Sequence, residues 1–181
     1  MLLDASLQFV PVGSSATLVG GAGTNLVLGN VIDLLGQGVG TAPANIIGNV
    51  TLFGTDLGIG DDRLLLECTL GTALATSNAA TLTIAIQAAV DLGTPTYQPG
   101  TWQTLVQSPA ITAAQGTAGA RVARLDWPPA FPEGLQPRYM RLLAIIPSAT
   151  AFTTGTISFA GWTSDRDDYA VQYAAKNYTV S

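Results

Sequence analysis

The chain has 181 residues, 48% of them hydrophobic and only 10% charged, where an ordinary soluble domain carries roughly 25% charge. Seven Lys and Arg against twelve Asp and Glu give a net charge of −5, and the cation clusters that grip a nucleic-acid backbone are missing. No histidine is present, which removes the commonest general base, the usual hydrolase triads and most zinc sites.

The opening stretch "MLLDASLQF" lacks a basic residue and carries Asp4 where a signal peptide needs positive charge. Residues 1–29 are rich in Gly, Ser, Ala and Thr and uncharged after Asp4, so they read as an edge strand or an arm laid against something else. Within them "GGAGTNL" imitates a dinucleotide loop but offers Leu26 where a third glycine is required, so it reads as a turn. From residue 30 the dominant period is two. "NVIDLL" (30–35), "IIGNVTLF" (46–53) and "DRLLLECTL" (62–70) are the first predicted strands. In the third, Leu64, Leu66, Cys68 and Leu70 share a face, which makes the single cysteine a core thiol rather than a reactive one.

"ATLTIAIQAAVD" gives the clearest pattern, with Leu82, Ile84, Ile86, Ala88 and Val90 on one side and Thr81, Thr83, Ala85, Gln87 and Ala89 on the other. "TWQTLVQ" (101–107), "ARVARLDW" (120–127), "RYMRLLAII" (138–146) and "TISFAGW" (156–162) complete about eight strands. Pro- and Gly-rich links such as "GVGTAPANIIGN", "DLGTPTYQPG" and "DWPPAFPEGLQP" separate them, in keeping with 20 Gly and 10 Pro overall. Every apolar run is interrupted well short of the ~18 residues that a spanning helix requires. The expected fold is all-β, a jelly-roll-like antiparallel β-sandwich over residues 30–163, with a short C-terminal arm at 164–181 and a single domain overall. In that arm "SDRDDYAVQYAAKNY" suits either a short capped helix or an extended segment.

Acidic pairs occur at Asp61 and Asp62 and at Asp165, Asp167 and Asp168, each beside an arginine, and read as solvated loops with local ion pairs. "NVT" (49–51) and "NYT" (177–179) fit the glycosylation pattern by chance. Arg138 and Arg141, three residues apart on one predicted strand, must point to opposite sides of a sheet. One explanation is internal: Arg138 snorkels outward at the strand's mouth while Arg141 meets an acid such as Glu67 or Asp126. The other places one of them at a subunit or partner interface, where arginine is enriched and lysine depleted. Beyond Arg141 both faces of this strand are apolar, so it is expected to be covered on both sides.

The sequence resembles the small capsid cement proteins of tailed phages, of the type first described on a short-tailed Bordetella phage. The likeness begins in "MLLDASLQF", continues through "NVIDLLGQGVG" and "ATLTIAIQAA", is strongest in "PRYMRLLAIIPSATAFTTGTISFAGWTSDRDD", and closes in "NYTV". It implies a jelly roll that sits on the outside of a phage head, assembled in the host cytoplasm, where dimers or trimers bridge neighbouring subunits of the major capsid protein. The long Pro-rich link at 127–137 and the Ala-rich stretch at 170–175 depart from the family pattern. The candidate interface residues are Arg138, Arg141, Trp162, Tyr169, Tyr173 and Tyr178, with no catalytic residue, cofactor or metal expected. The competing reading is a jelly-roll receptor- or carbohydrate-binding module of a phage tail or fibre, with Tyr97, Trp102 and Trp127 as its aromatics. An enzyme would have to work from Asp61 or Asp167 without histidine.

Overall fold

A computed structural model describes residues 7–20, 23, 25–34, 37–41, 51–53, 64–92, 98–126, 137–147 and 150–164. Twelve strands run through them: β1 (Gln8–Val10), β2 (Ala16–Thr17), β3 (Leu26–Asp33), β4 (Gln37–Thr41), β5 (Thr51–Phe53), β6 (Leu64–Thr76), β7 (Thr81–Ala89), β8 (Gln103–Gln107), β9 (Ile111–Thr112), β10 (Arg121–Asp126), β11 (Tyr139–Ile145) and β12 (Phe152–Ser164). One sheet has the order β1-β12-β6-β10, with β2 also on β12; the other has the order β3-β11-β7-β8, with β9 also on β7. The strands β4 and β5 form a separate two-stranded ribbon.

The connectivity follows from folding the chain back on itself at the β7–β8 link. That operation brings β7 beside β8, β6 beside β10, β3 beside β11 and β1 beside β12, and every one of these pairs is antiparallel. Rolling the resulting ribbon into two sheets is the jelly-roll plan, and the expected β-sandwich is what the chain forms. Its core is the apolar side of each alternating strand: Leu66, Cys68 and Leu70 from β6, Leu82, Ile84 and Ile86 from β7, Met140 and Leu142 from β11. All of these are within 1% of complete burial. Phe9 and Trp162 meet at one edge, ring centroids 6.5 Å apart and tilted by 57°, an arrangement favoured by the ring quadrupoles.

Several elements depart from the expected spans. Residues 1–29 contain the strands β1 and β2 and the start of β3, and Phe9, Leu18 and Leu28 enter the core, so the edge-strand reading describes residues 8–10. The strand β6 runs to Thr76 rather than ending at Leu70, and β12 begins at Phe152 rather than Thr156. The two strands pair along this extra length through a series of irregularities, where Thr154 Oγ1 donates to the Ala73 carbonyl (3.0 Å) and the Thr156 hydroxyl accepts from Thr72 N–H (3.1 Å). Part of the first predicted connection, residues 38–41, lies in strand β4, and of the prediction over 46–53 only β5 lies within the described residues.

The two sheets approach most closely where β1 crosses β3. Gly29 adopts φ +66°, and a Cβ built on it would lie 1.9 Å from the Phe9 carbonyl oxygen. Here glycine is needed both for the left-handed backbone and for the absent side chain. The same turn of chain makes a bulge, because three residues of β3 (Gly29, Asn30, Val31) stand opposite the single Arg141 of β11.

Candidate functional site

The strand β11 lies between β3 and β7 and is buried on both faces, as its double apolar pattern predicts. Met140, Leu142 and Ala144 belong to the core, so Tyr139, Arg141, Leu143 and Ile145 lie on the outer face of the sheet. The two arginines therefore have different tasks.

Arg138 stands just before β11 and ties three strand ends together. Its N–H donates to the Ala89 carbonyl (3.0 Å), and its carbonyl accepts from Leu34 N–H (2.7 Å). Its side chain forks onto Asp33, Nε to Oδ1 and Nη2 to Oδ2 at 3.0 Å each, and Nη1 reaches Asp91 Oδ2 at 2.6 Å. Asp91 is held in turn by Gln98 N–H on its other oxygen (3.2 Å). The hydrogen bonds it donates to Asp33, reinforced by Asp91, hold the guanidinium charged beyond its already high range. The guanidinium carbon also lies 5.1 Å from the Tyr139 ring centroid. Arg138 does not snorkel into solvent as expected; Asp33 and Asp91, at the ends of neighbouring strands, capture it.

Arg141 sits in the middle of the outer face, directly opposite Gln87 in the β11–β7 register. Its Nε donates to Gln87 Oε1 (2.9 Å), and Gln87 Nε2 donates on to Thr104 Oγ1 (3.1 Å). Its guanidinium carbon is 4.2 Å from the centroid of the Trp102 ring, a close cation–π stack. The network thus crosses β11, β7 and the start of β8. The expected acid partner does not appear. Glu67 and Asp126 belong to β6 and β10, in the other sheet, and Glu67 pairs instead with Arg121 at 3.3 Å. With no carboxylate beside it among the described residues, partial burial pulls the Arg141 guanidinium below its usual range.

The rest of this face mixes small and apolar side chains, with Thr81, Thr83, Ala85 and Ala89 on β7 beside Leu143 and Ile145 on β11. Leu143 is 4% exposed, and across from it on β3 Val27 remains 47% exposed, with Val31 at 46% further along the same strand. On the outer side of the other sheet the Thr72 and Thr156 hydroxyls bond to each other, Ser158 Oγ donates to the Thr69 carbonyl, and Glu67 pairs with Arg121. The β3–β11–β7–β8 face is set apart by the stacked arginine and the two half-exposed valines.

Of the six predicted interface residues, Arg138 and Arg141 fall at this sheet. Trp162 does not: at 1% exposure, packed on Phe9, it belongs to the core, because its position on β12 faces inward. Tyr169, Tyr173 and Tyr178 lie outside the described residues, as do Tyr97, Trp127, Asp61, Asp62, Asp165, Asp167 and Asp168. Sequence reasoning missed Gln87 and Thr104 as partners of Arg141, and Asp33 and Asp91 as partners of Arg138. Gln87 had a signal: it is the one long polar side chain on the otherwise small Thr/Ala face of its strand. Among the described residues no group of three His, Cys, Asp or Glu is placed to hold a metal ion. Compared with known proteins, the chain matches no family model and no curated protein.

Proposed function

We propose that the chain is a structural cement protein on the outside of a tailed-phage head, an oligomer that bridges and stabilises neighbouring subunits of the major capsid protein. The observation that carries this reading is the outer face of the β3–β11–β7–β8 sheet, which exposes Val27 and Val31 beside a prearranged Arg141–Trp102 pair. Arginine and tryptophan are the residues that most often dominate protein interfaces, and an apolar surround excludes water from them. The low charge of the chain and the resemblance of its "PRYMRLLAII" and "TISFAGW" strands to phage cement proteins support the same conclusion.

Bridging requires a composite surface that exists only when several shell subunits are correctly placed. Each contact is then weak alone, and the oligomer gains affinity through effective concentration. Co-sedimentation with expanded heads, unexpanded proheads and free capsid protein of the cognate phage tests the proposal. Tight binding to expanded heads and poor binding to the other two is the expected result. Equal binding to all three, or binding to none, contradicts it.

Trp102, half-buried at the sheet surface, favours the alternative of a carbohydrate- or receptor-binding module. Against it, the Arg141 guanidinium already stacks on the indole ring that a sugar would need. A glycan array with saturable, Trp102-dependent binding would favour the module.

A further inference from the structure

Arg141 is held on two sides and has no counter-ion among the described residues. Nε is fixed by Gln87, Gln87 is fixed by Thr104, and the guanidinium plane lies against Trp102. Its hydrogen bonds use Nε alone, so the Nη1 and Nη2 groups have no protein acceptor among the described residues. The other arginine on this sheet, Arg138, spends its whole fork on two carboxylates. With no acid beside it among the described residues, partial burial pulls its guanidinium below the usual range.

We propose that Arg141 anchors a single acidic side chain of the shell protein, its two Nη groups receiving the carboxylate in a bidentate pair on the outer face of the β3–β11–β7–β8 sheet. This inference rests on the shell-binding reading and names the contact through which it acts. The fork geometry of a guanidinium matches a carboxylate, and stacking plus the Gln87 bond restrains the rotamers before binding, so little further entropy is lost. Val27 and Val31, each about half exposed on the neighbouring strand, suit a carboxylate that arrives with apolar neighbours and displaces water. A phosphate-bearing partner fits less well, because such ligands are gripped by clusters of cations and Arg138, the other arginine on this sheet, is engaged by Asp33 and Asp91. A second copy of the chain fits less well too. In a two-fold contact the same face meets itself, and the acids that its described residues offer, Asp33 and Asp91, are bonded to Arg138.

Two measurements test the site separately from the shell reading. In the first, acetate is titrated into the free, 15N-labelled protein at constant ionic strength, with chloride as control. Saturable shifts of the Arg141 guanidinium and Trp102 indole signals, with Arg138 unmoved and the indole shift abolished in Arg141→Lys, are expected. Shifts that do not saturate, or that chloride reproduces, overturn the anchor. In the second, Arg141→Lys, which keeps the charge and removes the fork, is co-sedimented with expanded heads. At least tenfold weaker binding at unchanged melting temperature and oligomer mass is expected, with a smaller loss for Gln87→Ala. Binding equal to the unaltered protein overturns the proposal. A variant that loses oligomer mass instead places the carboxylate on a second copy and overturns the shell as its source. Heads that fail to bind even the unaltered protein overturn the shell reading, while the acetate titration still decides the site.

Discussion

Replacing Gly29 with alanine attacks the point where the two sheets touch. The new Cβ would start 1.9 Å from the Phe9 carbonyl oxygen and 2.7 Å from its carbon. A relaxed carbon–oxygen contact is about 3.3 Å, so β1 must retreat by about 1.4 Å. A hydrogen-bonded strand cannot move that far and keep its donor–acceptor distances, so the pairing of β1 with β12 at Gln8 and Val10 breaks. Phe9, now fully buried, loses its cover, which costs about 1.5–3 kcal/mol. The left-handed backbone of an alanine adds about 1–2 kcal/mol, for a total of roughly 3–5 kcal/mol. For a chain of this size, each kcal/mol lowers the melting temperature by about 2–4 °C, so a fall of roughly 6–20 °C is expected.

Gly13→Ala supplies the control. Gly13 also has a positive φ, +87°, but a Cβ there meets nothing within 4 Å, so only the backbone cost of about 1–2 kcal/mol applies. Thermal and denaturant unfolding of both variants, side by side, gives the comparison. If Gly29→Ala is no worse than Gly13→Ala, the contact between β1 and β3 is wrong, and with it the close approach of the two sheets.

Three further predictions concern individual residues and the assembly. Burial pushes the Cys68 thiol from 9.0 to about 12, so its contribution to stability is complete below pH 9 and is lost as pH rises from 9 towards 12, where the unfolded chain ionises first. Cys68→Ala should cost roughly 1 kcal/mol or a little more at pH 7 and should lose less stability than the unaltered protein between pH 8 and pH 10.5; an equal loss would contradict a buried thiol. Arg138→Ala removes the cation that Asp33 and Asp91 share, so its melting temperature should fall further than that of Asp33→Asn, whereas Arg141→Ala should melt close to the unaltered protein; the reverse order would exchange their assigned roles. Light scattering at micromolar concentration should report a symmetric oligomer, because 10% charge covers a monomer's surface poorly, and a monodisperse monomer would count against association.

Much of the sandwich was legible because burial on one face imposes a period of two, and the strand over residues 81–89 shows it without interruption. Shorter strands carried too little pattern. Gln8–Val10 is three residues long and pairs with β12, about 150 residues away in the chain, a contact that no local window contains. The extension of β6 past Gly71 was hidden because its exposed residues are Gly, Ala and Thr, whose cross-strand hydroxyl bonds replace the usual apolar alternation. For the site, the residue types were legible and the partners were not. Arginine on an apolar strand needs a companion, but which acid or amide stands beside it depends on the sheet that each strand joins. Glu67 and Arg141 were matched by charge and are separated by the core; Gln87 and Arg141 are matched by register. Trp162 shows the same limit, since an aromatic late in a strand suits a core or an interface equally until the strand's inward face is known.

The most direct test of the cement reading is cryo-electron microscopy of the intact mature head, compared with a head assembled without the chain. The account predicts two-sheet density of this size on the outer shell surface, spanning contacts between capsomers, with the β3–β11–β7–β8 face towards the capsid protein and with that density absent from the depleted head. Density for the chain in the tail or its fibres, or shells identical in both preparations, would contradict it.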